Sequence, residues 1–209
     1  MPSVDLQSPF TLKNAFLFPI QNERARGEVL WGAVLLILLP GVGWLLNMGH
    51  RIRLVHYMHR GNSPWPAWNE YMDLLKHGLI TFGGMVYYYL PGKILAGLSL
   101  YIQSYAVGLL AVVLLLLATL AIPGFMTHYC VHYDPSEIYN PIRAMKRVWE
   151  GGADYWKAWG IALLALLLSF TGLLFFGVGF LVTSVWFWQV AGFSFATVFS
   201  QKFQLAAEE

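Results

Sequence analysis

Two histidines in the second half of the chain have a spacing that metal ligands could have. His128 and His132 lie four residues apart, so on a helix their imidazole rings share one face, and Asp134 adds a carboxylate nearby. Two imidazoles and a carboxylate can bind a divalent metal ion. The alternative is that both rings end a helix at the membrane surface, where amphipathic side chains lie at the level of the lipid headgroups. Because a helical His-Glu-x-x-His signature is absent, no metalloprotease is predicted.

A third histidine, His77, stands at the start of an apolar run and could ligate an iron or magnesium ion. A histidine inside a membrane span can hold a haem or a chlorophyll, although such a residue more often forms a hydrogen bond between helices. The chain has no Cys-x-x-Cys-His motif for haem attachment, and its single cysteine, Cys130, excludes an intrachain disulfide. We therefore predict no cofactor, with chlorophyll or haem as the alternative.

Motifs for catalysis are absent from the sequence. There is no Gly-x-Ser-x-Gly turn, no phosphate-binding loop and no pair of carboxylates spaced for acid–base chemistry. Of the 209 residues, 57% are hydrophobic and only 11% are charged, whereas soluble domains average about 25% charged residues. This composition excludes a disordered chain, a nucleic-acid-binding domain and an ordinary cytosolic enzyme. We predict a non-enzymatic, polytopic α-helical protein whose first partner is the lipid bilayer.

The first apolar segment, 29–48, predicts a hairpin rather than a membrane span. A helix needs about 20 apolar residues to cross the hydrocarbon core, and this segment is broken near its middle by Pro40, Gly41 and Gly43. Proline removes a backbone donor and clashes with the preceding helical turn. Each arm is therefore too short to cross, and we expect the segment to re-enter or to lie tilted in the membrane.

The remaining apolar segments predict full spans. The last of them, 158–200, is too long for one span and has its natural turn at Gly177 and Gly179. We expect an all-α bundle of about four full spans together with the short re-entrant or tilted hairpin. The predicted units are a polar segment at 1–28, the hairpin at 29–48, spans at 72–90 and 105–126, an amphipathic interfacial helix at 141–150, a hairpin at 158–200 and a tail at 201–209.

The distribution of positive charge predicts the orientation. If segment 29–48 returns to the side from which it starts, every Lys and Arg except Lys93 lies on one side of the membrane. The positive-inside rule assigns that side to the cytoplasm. We therefore predict an integral protein of the plasma or thylakoid membrane with both termini on the cytoplasmic side.

Basic and aromatic residues near the predicted surface are candidates for contacts with lipids or partners. Each Lys or Arg close to an anionic leaflet contributes about 1 kcal/mol of binding, and the same charges could dock an acidic patch of another membrane protein subunit. The predicted partner- or headgroup-binding residues are Arg51, Arg53, Arg60, Arg143, Lys146 and Arg147. Tryptophan is enriched at membrane interfaces, and the predicted interface anchors are Trp65, Trp68 and Trp149.

Several of these features together resemble a family of small polytopic membrane proteins of unknown function that is common in cyanobacteria and archaea. The resemblance covers about residues 27–200. It rests on the broken first segment at Pro40, a basic stretch, a Pro-x-Trp motif, a glycine at the head of the next span and the final apolar hairpin. The residues that carry the later features are Arg53, Tyr57, Arg60, Gly61, Pro66, Trp68, Gly78 and Gly177. Family members often read Leu-Pro-x-Trp where this chain has Trp65-Pro66-Ala67-Trp68. The resemblance implies an integral membrane protein and assigns no activity.

Three hypotheses for the function follow. The first is a non-enzymatic accessory or assembly subunit of a larger membrane complex, which could be photosynthetic or respiratory. The second is a transporter or channel for a small molecule or lipid that uses the helix break at residues 40–43, because broken helices often line substrate sites. The third is a pigment- or haem-binding protein that uses His77 or His128.

Overall fold

The computed structural model describes residues 4–203, and all regular secondary structure in that range is helical. Seven α-helices are present within it. They are α1 (Leu12–Leu17), α2 (Glu23–Leu38), α3 (Pro40–His59), α4 (Tyr71–Ile102), α5 (Tyr105–His132), α6 (Pro141–Ser169) and α7 (Val178–Phe203). Short 3-10 turns lie at Phe18–Ile20, Pro135–Glu137 and Phe170–Leu174.

The helices α2 and α3 form the hairpin that the sequence predicts, with longer arms than segment 29–48. The chain leaves the helical conformation at Leu39 (φ −136°, ψ 69°), and Pro40 is the first residue of α3, where its missing N–H costs nothing. A Cβ at Gly43 would overlap the backbone carbonyl of Leu35, so only glycine permits this close approach of the arms. Farther along, Asn47 donates a hydrogen bond to the carbonyl oxygen of Gly32 (3.0 Å). The two arms are therefore antiparallel.

In the next hairpin, α4–α5, the first helix is longer than the span predicted at 72–90. Pro91 does not end α4, which continues to Ile102 and turns at Gln103, a residue with a positive φ of 51°. The reason is tertiary packing: Gly92 lies against Leu115 of α5, at a distance where an added Cβ would meet the leucine side chain at 2.8 Å. Neighbouring helices commonly allow proline inside membrane helices. In the same way α5 passes through Pro123 and ends at His132 rather than at 126.

Three helical segments are long and apolar enough to cross a membrane, where the sequence predicted about four full spans. They are Tyr105–His132, Pro141–Leu174 and Val178–Phe203. Helix α4 is long enough but is not among them. Three tyrosines, a proline and Lys93 lower the hydropathy of its apolar run.

The predicted interfacial helix is the first part of α6. Asn140 caps it, because the side-chain oxygen accepts a hydrogen bond from the backbone N–H of Arg143 (2.9 Å). The glycine pair after residue 150 interrupts the helix, as the predicted end at 150 requires: Gly152 is not helical (φ 57°, ψ −140°), and a second helical segment follows directly and continues to Ser169. The helix that starts at Pro141 and the first arm of the C-terminal hairpin are thus joined at a sharp kink, and the whole is labelled α6. The hairpin turn follows at Gly177, whose φ of 76° favours glycine.

The N-terminal segment packs along α7 and closes one side of the bundle. Trp186 donates a hydrogen bond to the carbonyl oxygen of Phe16 (3.2 Å), and Phe18 stacks on Phe193 with ring centroids 4.6 Å apart. Gln201 donates to the carbonyl oxygen of Leu6 (3.0 Å). These contacts hold the segment before α2 against α7, so they help to position the α2–α3 hairpin.

Candidate functional site

An apolar, partly open cavity, which we call the chamber, lies where α3, α4, α5, α6 and α7 meet. Its volume is about 260 Å³. Small residues leave this space open: Ala162 of α6 and Ala191 and Gly192 of α7 face it. The large apolar side chains of its wall include Ile52, Val55, Ile122, Met126, Leu166 and Phe187.

One charged side chain, Arg51 of α3, lines the chamber. The residue is only 8% exposed. Its guanidinium carbon lies 4.6 Å from the ring centroid of Trp188, and Nη2 lies 3.8 Å from the sulfur of Met126. The methylene stem lies against Gly192, where an added Cβ would come within 3.2 Å of Cγ. The stem and the guanidinium are therefore held by packing, while within residues 4–203 no oxygen acceptor pairs with the charge.

Arg51 takes part in none of the salt bridges among residues 4–203. An uncompensated buried charge costs about 3–5 kcal/mol. A cation–π contact offsets about 2 kcal/mol of this when the pair is desolvated. Trp188 therefore stabilises the arginine without fully compensating its charge.

Arg51 also lines a second, smaller cavity of about 60 Å³. Its wall includes polar residues of two helices: Asn47 and His50 of α3, and Ser184 and Gln189 of α7. Gln189 is buried, and in the part of the chain that the structure describes neither its amide nitrogen nor its oxygen has a hydrogen-bond partner. Unsatisfied buried amides are uncommon in proteins. The region around Arg51 thus contains a second group with free hydrogen-bonding capacity.

Arg53, two residues away, is also buried, but a carboxylate pairs with its charge. Its guanidinium donates to the carboxylate of Asp73 (2.6 Å) and to the backbone oxygen of Asn69 (2.5 Å). The same carboxylate lies 3.3 Å from Nε2 of His77, whose Nδ1 lies 2.7 Å from the hydroxyl of Tyr129. This network joins α3, α4 and α5. Because both nitrogens of His77 are engaged, neither is free to ligate a haem iron or a chlorophyll magnesium.

A second buried network holds the loop before α4. The carboxylate of Glu28 lies 2.7 Å from Nε2 of His50 and accepts a hydrogen bond from the backbone N–H of Ala67 (3.1 Å). The ring of Trp68 stacks on His50 at 4.1 Å and donates to the carbonyl oxygen of Glu28 (2.9 Å). Of the three predicted interface anchors, Trp65 is buried and Trp68 is half-buried, so the structure places both in this packing. Trp149 is 87% exposed and therefore stays a candidate interface anchor.

The two histidines of α5 that could bind a metal have different surroundings. Nδ1 of His128 lies 3.0 Å from the carbonyl oxygen of Gly124, and its ring packs against two phenylalanines of α7. His132 is exposed, and Asp134 instead caps the short turn that follows by accepting a hydrogen bond from Ser136. No group of three metal-ligating residues occurs within residues 4–203.

The six predicted basic residues divide into two groups. Arg60, Arg143 and Lys146 are exposed and remain candidates for headgroup or partner contacts. Arg51, Arg53 and Arg147 are buried, so they do not form part of an external basic rim. The special position of Arg51 was not inferred from the sequence. A helical face that also carries Trp44, Met48 and Val55 at spacings of three and four residues could have indicated that it faces an apolar interior.

Arg147 lies in a third ion-pair network, which predicts that the stability of the fold depends on pH. The carboxylate of Glu137 lies 2.5 Å from Nη2 of Arg147 and 2.8 Å from Nη1 of Arg143. Partial burial alone would raise the pKa of Glu137, but the hydrogen bond to Arg147 and the charges of both arginines outweigh it and hold the pKa below its ordinary value of 4.5. A carboxyl with a lowered folded-state pKa stabilises the fold above its unfolded pKa, and this contribution disappears as the pH falls through the folded pKa.

We therefore expect Glu137→Gln to lower the midpoint of thermal unfolding at neutral pH. The difference from the wild type should shrink as the pH falls below about 4.5, where Glu137 of the unfolded wild-type chain takes up a proton. Glu150→Gln, in an exposed pair with Lys146, is the control and should change little at any pH. A difference between Glu137→Gln and wild type that stays constant across this pH range would contradict the assignment.

No family model, curated protein sequence or solved structure matches this chain. The resemblance to the cyanobacterial and archaeal membrane family therefore stays a prediction, and the site has to be interpreted from its own geometry.

Proposed function

We propose that this protein is an integral membrane protein that binds a lipid-like amphiphile in its chamber, as a carrier or transporter for such a molecule. The observation that carries the proposal is the chamber itself, an apolar cavity inside a bundle that has three helices able to cross a membrane. Ligand sites are typically concave and mostly apolar with a few placed polar groups. The chamber has this composition, with Arg51 as its charged residue.

The position of the chamber supports entry from the lipid phase. Trp188 forms part of its wall and is also 41% exposed on the outside of the bundle. Leu166, on the wall formed by α6, is half-buried. The neighbouring outer surface is apolar, since Leu163 and Leu167 are at least half-exposed. A molecule with a hydrocarbon chain could therefore pass from the bilayer into the chamber without crossing a charged surface.

In this proposal the helix break at Pro40 positions Arg51 and is not part of the ligand site; a substrate path along the break itself stays a prediction. The break does not line the chamber; it permits α3 to return beside α2 and to carry Arg51 into the bundle. The tip residues Leu38, Leu39 and Val42 are exposed and apolar, which suits a hairpin whose tip lies in lipid. The cytoplasmic position of both termini stays a prediction.

The other two hypotheses have less support. Pigment or haem binding through His77 would require breaking its contacts with Asp73 and Tyr129. The accessory-subunit hypothesis keeps Arg143, Lys146 and Trp149 as an exposed surface, and it stays a prediction that is compatible with lipid binding.

Filling the chamber is the experiment that tests the proposal. Ala162→Phe places a ring in the chamber, and Leu163→Phe adds the same group at the adjacent, half-exposed position on the outer surface. We expect native mass spectrometry of protein extracted from membranes to detect a bound lipid-like molecule on the wild type and on Leu163→Phe, and its loss from Ala162→Phe. Thermal unfolding would verify that both variants are folded. Equal occupancy of the two variants would contradict the proposal.

A further inference from the structure

We propose that the molecule held in the chamber is an anionic single-chain amphiphile whose carboxylate or phosphate pairs with Arg51. This inference rests on the proposed function and adds the chemical class of the ligand. Its chain would lie along the apolar part of the chamber, toward Thr119 and Ile122. The volume of about 260 Å³ lies just below the range of about 300–1,000 Å³ for ligand pockets and favours one hydrocarbon chain over two.

A comparison of the buried arginines supports an anionic ligand. The chain provides a carboxylate for each of the other two buried arginines in the described range: Asp73 lies 2.6 Å from Arg53, and Glu137 lies 2.5 Å from Arg147. Arg51 has only the ring of Trp188 and the sulfur of Met126. Buried charges in proteins are normally paired. The missing counterion at Arg51 is therefore best explained by a ligand that supplies it.

The contacts around Arg51 leave most of its donors available. Gly192 lies beneath the stem, and the guanidinium carbon lies 4.6 Å from the ring centroid of Trp188. A guanidinium has five N–H donors, and within residues 4–203 its one hydrogen bond goes from Nη2 to the sulfur of Met126, so others are free for contact with a carboxylate or phosphate. Arg51 lines both cavities, and the unpartnered amide of Gln189 lies on the wall of the smaller one.

A carboxylate and a phosphate share this chemistry, and the two could come from a free fatty acid or from a lysophospholipid. The probes that separate them are palmitate, lysophosphatidic acid with the same chain, and hexadecanol, which has that chain and no charge. Binding to the wild-type protein in detergent would be measured at alkaline pH, where the fatty acid is ionised, by the shift of thermal unfolding over a ligand titration.

We expect at least one of the two anionic probes to bind the wild type about tenfold or more tightly than hexadecanol, because hydrogen bonds to charged groups add this much. Arg51→Gln should remove this preference and leave hexadecanol binding unchanged. Arg26→Gln, which removes an exposed arginine of α2 that lines neither cavity, should retain it. The tighter of the two anionic probes identifies the source of the head group.

Two results would overturn the inference while leaving the proposed function intact. One is equal affinity of the wild type for hexadecanol and both anionic probes, which needs no variant and therefore does not depend on how Arg51→Gln folds. The other is a preference for the anion that persists in Arg51→Gln. If none of the three probes binds the wild type, both the inference and the proposed function fail.

Discussion

Gly49→Ala is expected to lower the free energy of unfolding by about 3 kcal/mol, the upper end of the usual cost of overpacking. A Cβ at Gly49 would overlap the backbone carbonyl of Leu74, and a Cβ at Gly78 would overlap that of Leu45. The backbones of α3 and α4 are therefore in direct contact at two points. Backbone atoms cannot move aside as the end of a flexible side chain can, so the alanine has to push α3 away from α4. Unfolding in a mixed-detergent titration would measure the loss.

The chain offers a matched control for this substitution. Gly27 lies inside α2, and nothing lies within 4 Å of the position that a Cβ would occupy there. Alanine has a higher helix propensity than glycine, by about 1 kcal/mol in a helix interior. Gly27→Ala should therefore leave stability unchanged or raise it. If Gly49→Ala were as stable as Gly27→Ala, the close docking of α3 on α4, and with it the position of Arg51, would be wrong.

Asp73→Asn is expected to have an effect of similar size. The substitution leaves Arg53 buried without its nearest counterion and weakens the acceptor for Nε2 of His77. Removal of one partner from a fully buried ion pair typically costs about 3–5 kcal/mol. The Asp73 side chain is 41% exposed, and the carboxylate of Glu70 also lies 3.4 Å from Arg53, so solvent and the second carboxylate should reduce the cost to about 2 kcal/mol. The free energy of unfolding is the quantity to measure.

A double-mutant cycle separates the ion pair from other effects of the substitution. In the background of Arg53→Met the carboxylate has no buried arginine to neutralise, so Asp73→Asn should then cost much less. Glu150→Gln removes a carboxylate from an exposed pair, and its cost should be below about 1 kcal/mol. If Asp73→Asn lowered the free energy of unfolding by the same amount with and without Arg53, the ion pair would not be what joins α3 to α4 here.

The helical architecture was predictable because its main determinants are local. A proline followed by two glycines at 40–43 breaks an apolar segment, and the structure has a hairpin there. Asn140 followed by Pro141 predicts a helix start, and α6 begins at Pro141. Low charge and long apolar segments predict membrane helices, and three segments meet the length and composition of a span.

The errors occur where tertiary packing determines the outcome. The local preference of Pro91 predicts a helix end, yet α4 continues through it, because Gly92 packs closely against α5. The roles of arginines are the least predictable, since Arg51 and Arg53 are two residues apart and nearly equally buried. Only the positions of Asp73 and Trp188, which are distant in sequence, distinguish the paired arginine from the unpaired one.

An experimental density map of the protein crystallised from a lipid mesophase would show whether the chamber holds an anionic amphiphile. We expect elongated density in the chamber that ends in a head group within hydrogen-bonding distance of the Arg51 guanidinium. A chamber closed by repacking of α7 against α5, with Arg51 paired to a carboxylate of the chain itself, would contradict the proposal.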